Sequence, residues 1–138
     1  MDLFTLSLDD VIRYHIRLVE VSTDPADVGT EGQILDRGYL EFTVDWCAGI
    51  ADPFERAAFL LFQFAAGHCM LSANKRLGYM LAELALLRTP DRYLIVCPDE
   101  ERDRVVRAVA KGEMTKAEVE LWLRAVVKKE RDLSGQQL

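Results

Sequence analysis

The chain has 138 residues, half of which are hydrophobic, and it carries a formal net charge of −6 at pH 7. This length and composition predict a single domain with a substantial core. The acidic balance argues against a nucleic-acid binder, whose contact face is usually basic, and no apolar run is long enough to span a bilayer. The N-terminus also lacks the basic start and apolar stretch of a secretion signal. We therefore expect a cytoplasmic protein with no nucleic-acid or membrane partner.

Apolar residues recur at helical spacing along most of the chain, so we predict an all-α fold. The first helix has Ser7 as its N-cap and Asp10 three residues later, which is a capping-box pattern. The predicted helices span residues 8–22, 53–66, 74–88, 99–111 and 116–129.

The least regular stretch of the sequence covers residues 24–52 and is rich in glycine. Residues 29–38 fit a flap or a short hairpin, and residues 39–47 fit either a strand or a short helix. Residues 1–131 are predicted to form one domain, and residues 132–138 a disordered tail.

The three cysteines, Cys47, Cys69 and Cys97, are odd in number and widely spaced. Such cysteines fit a reducing cytosol better than a disulfide scaffold. A zinc site made of these residues and His68 is conceivable, but the chain has no C-x-x-C pair, so we do not favour it.

A polar run from His68 to Arg76 separates two of the most apolar segments of the chain. The helix before it is capped by Asp52 and starts with Pro53, whereas the helix after it begins at Ala73 or the residue that follows. Helices that are apolar nearly all round are normally buried, and buried charges are costly unless they are paired or functional. We therefore predict a functional site at this junction.

The residues of the run suit an anionic ligand. Helix N-termini bind phosphate through free backbone N–H groups, and Asn74, Lys75 and Arg76 fall in the first turn of the third predicted helix. Cations at this end are unfavourable for the helix alone, so an anion would explain them. His68, across the loop, is placed to act as a general base. The pattern also leaves open a plain alternative, in which the histidine caps a helix and the cations pair with nearby carboxylates.

The run His-Cys-Met-Leu-Ser-Ala-Asn-Lys-Arg, residues 68–76, resembles the signature of the Fic/Doc family. It is most similar to the death-on-curing (Doc) toxin branch, which reads roughly H-x-F-x-D-[AG]-N-K-R. Tyr79 stands where the AMP-transferring members have a second arginine, which again suits the Doc branch. Weaker similarity extends to the opening helix, to residues 38–41 and to the C-terminal helices.

The resemblance implies an all-α Fic-fold helical domain with a central antiparallel helix pair and a small flap. It implies that His68 is the base that activates a target hydroxyl. Asn74 and Arg76 would hold the phosphates of ATP, helped by backbone N–H groups around Ala73. Lys75 replaces a glycine of the AMP-transferring form, which goes with transfer of the γ-phosphate.

The resemblance also implies partners and a metal ion. The known target of Doc is a threonine of elongation factor Tu, whose phosphorylation stops translation, and a small antitoxin protein inhibits the toxin. Ser72 stands at the position of the family acid that positions Mg²⁺, and serine brings no charge. Three outcomes therefore stay open: a weak kinase, a transferase with altered chemistry such as AMP transfer, or a non-catalytic relative that only binds nucleotide or protein. No inhibitory-helix motif, [ST]-x-x-x-E-[GN], occurs in the sequence, so we expect control by a separate chain.

Overall fold

The computed structural model describes residues 4–136, and in them the chain is mostly helical. The prediction of an all-α fold is confirmed, because the only sheet in this part has two three-residue strands. In chain order the elements are α1 (Leu8–Glu20), a 3-10 turn (Pro25–Asp27), α2 (Arg37–Ala48), α3 (Pro53–Gly67), α4 (Asn74–Leu87), β1 (Tyr93–Ile95), α5 (Asp99–Ala110), α6 (Lys116–Val126), β2 (Val127–Lys129) and α7 (Glu130–Gln136). No helix in these residues is long and apolar enough to cross a membrane.

Helices α3 and α4 form the centre of the domain and pack closely against each other. At Gly78 of α4, an added Cβ would lie 3.1 Å from the Leu61 carbonyl oxygen and 3.1 Å from the Phe64 Cβ of α3. Only glycine allows this approach without a shift of one helix. The closeness of the pair is what brings the end of α3 and the start of α4 to one place on the surface.

Two apolar clusters cover opposite faces of the central pair. On one face the side chains of α1 and α2 pack against α3 and α4, and on the other the valines of α5 and α6 do so. This arrangement explains why α3 is apolar nearly all round. A helix that is covered on two opposite faces has little surface left for polar residues. The first cluster includes Val11, Leu40, Phe59, Leu60, Phe64, Met70, Leu77 and Leu81, and the second includes Ala57, Leu61, Ala65, Ala82, Leu86, Val105, Val109, Val119 and Leu123.

The irregular stretch contains a helix and an extended segment rather than a hairpin. Residues 39–47, left open between strand and helix, lie within α2, whose first turn is capped where the Asp36 carboxylate accepts a 3.0 Å bond from the Tyr39 N–H. Before α2, Ile34 forms a single antiparallel bridge with Met70. The region predicted as a flap is therefore attached to the loop between α3 and α4.

The C-terminal end differs from the prediction in two ways. The last predicted helix, residues 116–129, ends at Val126, because residues Val127–Lys129 pair antiparallel with Tyr93–Ile95. Helix α7 then occupies the first part of the predicted tail, up to Gln136, and residues 137–138 lie outside the described residues. The β-branched Val127 suits the pairing, but its partner strand is too distant in sequence for the helical pattern to reveal it.

Candidate functional site

The loop of residues 68–73 joins α3 to α4, and left-handed backbone marks both of its ends. His68 has a φ of 51° and Ala73 a φ of 58°. Asn74, the first residue of α4, bonds to the middle of this loop. Its carboxamide oxygen accepts a 3.0 Å bond from the Met70 N–H, and its amide nitrogen donates a 2.9 Å bond to the Met70 carbonyl. The structure thus places the Asn74 amide on the loop backbone, whereas we predicted it on a phosphate. Asn74 shapes the loop that carries the histidine.

The segment before α2 holds the same loop from its other side. The N–H groups of Leu35 and Asp36 donate to the Cys69 carbonyl at 2.8 and 3.0 Å, and the Leu71 N–H donates to Gln33. Cys69 is fully buried, and burial raises the pKa of its thiol to about 11. This cysteine therefore stays protonated and packs as an apolar residue beside the site.

The structure brings His68 and Arg76 to one cavity of about 740 Å³. The His68 side chain is exposed, and no hydrogen bond or ion pair of its imidazole is found within residues 4–136. The ring is free to meet a proton donor that enters the cavity. The walls are formed by the end of α1, the 3-10 turn, the loop and the start of α4, through Leu18, Val21, Ser22, Thr23, Asp24, Ala26, Asp27, His68, Leu71, Ser72, Ala73, Asn74, Lys75 and Arg76.

The N-terminus of α4 is open towards this cavity. Ala73 has no side chain able to cap the helix, and the first backbone bond of the helix is made by the Leu77 N–H to the Ala73 carbonyl. The N–H groups of the first turn are therefore left without intrahelical partners. Lys75, which lines the cavity, is exposed and has no carboxylate partner among the ion pairs of the described residues. The predicted phosphate-binding groups thus share one wall.

Arg76 is already paired within the protein. Its Nη2 donates to the Asp27 carboxylate at 2.6 Å, and its Nη1 donates to the Ser22 hydroxyl at 3.2 Å. The Asp27 side chain is 5% exposed and that of Arg76 is 44% exposed. The Ser22 hydroxyl also donates to Asp27, and these bonds with the Arg76 charge hold the pKa of Asp27 below its usual value. Sequence analysis missed Asp27, although the Asp24-Pro25 pair before it is typical of the start of a helical turn.

His15 of α1 is a second residue that sequence analysis did not assign to the site. Its ring is fully buried, with Nδ1 accepting a 3.0 Å bond from the Gly32 N–H and Nε2 lying 2.9 Å from the Ser72 carbonyl. Because Nδ1 accepts, Nε2 must carry the proton and donate to Ser72. His15 therefore ties α1 to both the Gly32 turn and the loop. In the sequence, His15 falls among the apolar residues that recur at helical spacing in the first predicted helix. This position was the available signal that His15 is buried.

The hydroxyl of Ser72, the residue that the resemblance puts at the Mg²⁺-positioning place, is engaged with Thr30. The Thr30 hydroxyl donates to the Asp27 carbonyl, so the Ser72 hydroxyl is the donor in the 2.6 Å contact with Thr30. Of the two carboxylates on the cavity wall, Asp27 is bound to Arg76, and Asp24 caps the 3-10 turn through the Ala26 N–H. These donors do not fit a dedicated Mg²⁺ site.

The described residues do not support the zinc alternative either. It needs Cys47, His68, Cys69 and Cys97 to lie together around one ion. No group of three or more histidines, cysteines or carboxylates able to hold a metal is found between residues 4 and 136. The three cysteines are free thiols.

Tyr79, which by the resemblance stands where the AMP-transferring members have a second arginine, lies one turn after Arg76 in α4. It is half-buried beneath the Arg102 guanidinium, which sits 5.6 Å from the ring centroid, and burial raises the pKa of its phenol. Together with Lys75 and Arg76 it lines a neighbouring cavity of about 530 Å³ between α4 and α5. A cation from α5 thus stands beside this position.

The site lies within the part of the chain that matches a known family. The family model of Fic/DOC proteins matches residues 5–86, more than half of the chain. The chain belongs to the Fic/DOC family. The match covers α1, α2 and the central pair with its loop, so it includes every element that lines the His68 cavity.

Solved structures agree with this fold. The chain is 24% identical to Fic-1 from C. elegans, with a TM-score of 0.57, and the alignment covers 88% of this chain. A single-residue variant of Fic-1 gives a TM-score of 0.56 at the same identity and coverage. The chain spans 44% of the length of each of these structures, so they establish the Fic fold and nothing further. No curated protein matches the chain.

Proposed function

We propose that this chain is a Doc-like transferase that moves the γ-phosphate of ATP to a hydroxyl group of another protein. Family membership supports a Fic-type transferase of ATP-derived groups to proteins. The observation that carries the finer proposal is the shared cavity, which is lined by a free imidazole and by an open helix N-terminus with Lys75 and Arg76. Such a terminus attracts phosphate through its N–H groups and dipole.

In the proposed reaction, ATP binds with its phosphates against the start of α4. The acceptor hydroxyl approaches the γ-phosphorus, and the His68 imidazole takes its proton as the new P–O bond forms. The bond between the γ-phosphorus and the bridging oxygen breaks, and ADP leaves. Lys75 and the free N–H groups of Arg76 balance the negative charge of the phosphates. Mg²⁺ accompanies ATP in such reactions, but no step is assigned to it, because the two carboxylates of the cavity wall, Asp24 and Asp27, are engaged in other hydrogen bonds.

The proposed acceptor is a translation factor such as elongation factor Tu, and the proposed consequence is inhibition of translation in the cytoplasm. Lys75 favours phosphate transfer over AMP transfer by the resemblance of its Asn-Lys-Arg run to Doc. The alternative is a non-catalytic relative that binds nucleotide or protein, and the observation in its favour is Ser72. A serine stands there in place of the acid that the resemblance implies, and its hydroxyl is bonded to Thr30.

Labelling with γ-³²P-ATP tests this proposal. Purified protein is incubated with elongation factor Tu or with a ribosome-free extract, and the wild type is expected to label one acceptor. His68→Asn is the informative variant, because asparagine tolerates the left-handed backbone of this position but cannot act as the base. We expect it to lower the rate by about 10²–10⁴-fold while ATP affinity stays unchanged. Equal rates in the two proteins would refute the role of His68.

A second pair of variants separates the kinase from the binding module. Calorimetric titration with ATP should show weaker binding in Arg76→Ala than in the wild type, and equal affinity would refute the nucleotide site. Ser72→Asp should increase label transfer by restoring an acidic group beside the cavity. If the wild type binds ATP through Arg76 but neither protein transfers label, the binding-module alternative replaces the kinase.

We also propose a small antitoxin-like partner. A groove of about 670 Å³ between α1 and α4 has an apolar floor that includes Leu18, Met80 and Leu84, with Arg13 and Arg17 at its side. An amphipathic helix with acidic residues beside its apolar face would fit this surface. If a small protein is encoded next to this chain, its co-expression with the chain, followed by pull-down, tests the partner. Loss of the complex in Leu18→Asp is expected, and no complex with the wild type would contradict the proposal.

A further inference from the structure

We propose that Asp27 is a positioning residue, which holds the Arg76 guanidinium in place so that its remaining N–H groups face a phosphate in the cavity. This inference rests on the proposed nucleotide site. It adds a residue outside the motif of residues 68–76 to that site. The alternative is that Asp27 competes with phosphate for Arg76 and closes the site.

The bonding of the guanidinium leaves donors for a ligand. Arginine has five N–H donors, and the structure uses one to Asp27 and one to Ser22, so three remain. The side chain of Arg76 is 44% exposed and lines the cavity, while that of Asp27 is 5% exposed. The Asp27 carboxylate therefore fixes one side of the Arg76 guanidinium from within the protein. The other side of the guanidinium stays accessible to a ligand in the cavity.

Burial makes displacement of Asp27 from Arg76 costly. If a phosphate took Arg76 entirely, a desolvated carboxylate would lose its cationic partner, and breaking such pairs is strongly unfavourable. Asp27 is also held in place by its backbone, because its carbonyl accepts bonds from the N–H and the hydroxyl of Thr30 at 3.1 and 2.6 Å. Thr30 in turn contacts Ser72 at 2.6 Å. Asp27 is thus linked through Thr30 to the same loop that carries His68. This anchoring favours a role in positioning Arg76 over one in which Asp27 moves to block the site.

Charge and positioning predict opposite results when Asp27 is removed. Removal of a negative charge close to the phosphates strengthens ATP binding on electrostatic grounds alone. If Asp27 acts by orienting Arg76, its removal weakens ATP binding despite the gain in charge. The sign of the change in affinity therefore separates the two roles.

The experiment is a calorimetric ATP titration of the full chain. Asp27→Ala should bind about tenfold more weakly, the size expected for loss of one charge-assisted contact. Asp27→Asn should bind as well as the wild type or better, because its amide oxygen still accepts from Arg76. Asp24→Asn is the matched control, since it removes a carboxylate from the same cavity that does not touch Arg76. It should not weaken binding.

A double-mutant cycle excludes a merely structural effect. In Arg76→Ala, the additional change Asp27→Ala should cause no further loss of ATP affinity. Tighter binding by Asp27→Ala than by the wild type would overturn the proposal in favour of competition. An equal loss in both backgrounds would overturn it in favour of a folding role. If Asp27→Ala does not fold, Ser22→Ala replaces it, with an expected loss of about threefold, and unchanged affinity would overturn the proposal.

The same titrations distinguish failure of this inference from failure of the proposed function. Wild-type binding that depends on Arg76 but not on Asp27 overturns the positioning role alone. A wild type that binds no ATP, or binds it independently of Arg76, overturns the nucleotide site and the role of Asp27 with it.

Discussion

The two central helices begin in opposite ways. At the start of α3, one oxygen of the Asp52 carboxylate accepts bonds from the N–H groups of Phe54 and Glu55 at 2.8 and 3.4 Å, and the other oxygen meets Arg124 at 2.8 Å. At the start of α4, Ala73 provides no side-chain cap, and the backbone is left-handed there.

The difference shows how the N-termini of two packed helices, at opposite ends of the pair, can serve different purposes. A carboxylate on the first-turn amides satisfies their hydrogen bonds and stabilises the helix by roughly 1 kcal/mol. An alanine leaves the same amides available to an anion from outside. The closed end of α3 contributes stability, and the open end of α4 is where we propose that the phosphates of a ligand bind.

The largest effect is expected from closing the open end with an internal carboxylate. Ala73→Asp should lower ATP affinity by about tenfold or more, because the new charge repels the phosphates and competes for the α4 amides. Ala73→Asn is the matched control, since both residues tolerate a positive φ and differ in charge. Calorimetry measures both affinities. An Asp variant that binds ATP as tightly as the Asn variant would show that the α4 terminus does not face the nucleotide.

The reverse change, opening the closed end, should affect stability alone. Asp52→Ala should lower the free energy of unfolding by about 1–2 kcal/mol through loss of the cap and leave ATP affinity unchanged. Asp52→Asn, which keeps an oxygen on the amides, should recover most of this loss. Denaturant unfolding checks the prediction, and a change in ATP affinity in Asp52→Ala would contradict the division between the two ends.

Acid pH should weaken the contact that supports the open end. The folded pKa of Asp27 is lowered, first by the Ser22 hydrogen bond and then by Arg76. A group of this kind contributes stability that is complete above its unfolded pKa of about 4 and is lost as the pH falls through the lower folded pKa. Unfolding of the wild type should therefore become easier below about pH 4, and Asp27→Asn should show a shallower dependence in the same range. Identical pH profiles would argue against the Asp27 contact.

The smallest effect is expected at the ion pair that flanks the closed end. Arg124 is 44% exposed and Asp52 is 43% exposed, so water screens their attraction. Arg124→Ala should lower the free energy of unfolding by less than about 1 kcal/mol, clearly less than Asp52→Ala. A loss as large as that of Asp52→Ala would mean that Arg124 holds Asp52 in its capping position.

Local signals predicted the central pair well. Residues 53–66 and 74–88 were predicted as helices, and α3 and α4 span Pro53–Gly67 and Asn74–Leu87. A capping aspartate with a following proline, and a glycine at the end of α3, fix these boundaries within a few neighbouring residues. By contrast, the last predicted helix extended too far, because the strand that ends it pairs with Tyr93–Ile95, far away in the sequence.

The candidate site was predictable only in part for the same reason. The motif placed His68 and Lys75 together because they are close in sequence, and the roles assigned to them stay predictions. The partner of Arg76 lies 49 residues earlier, and His15 lies 57 residues before the carbonyl that it contacts. No spacing rule links such pairs, since tertiary packing alone brings them into contact. Asn74 shows a different limit: its position was predicted, but its amide bonds to the loop backbone.

These long-range bonds have a consequence for the order in which the molecule folds. The bonds of His15, Asp27 and Thr30 to the loop and to Arg76 close chain segments of 42 to 57 residues. Closing a segment costs entropy before its contacts form, and a few polar bonds offset less of that cost than the apolar packing of the helices, so we expect these bonds to be absent from the transition state. Substitutions such as Thr30→Ala would then accelerate unfolding while leaving the refolding rate nearly unchanged. The cavity would be completed only after the helical scaffold is in place, and it would be the first part to open when the native state fluctuates.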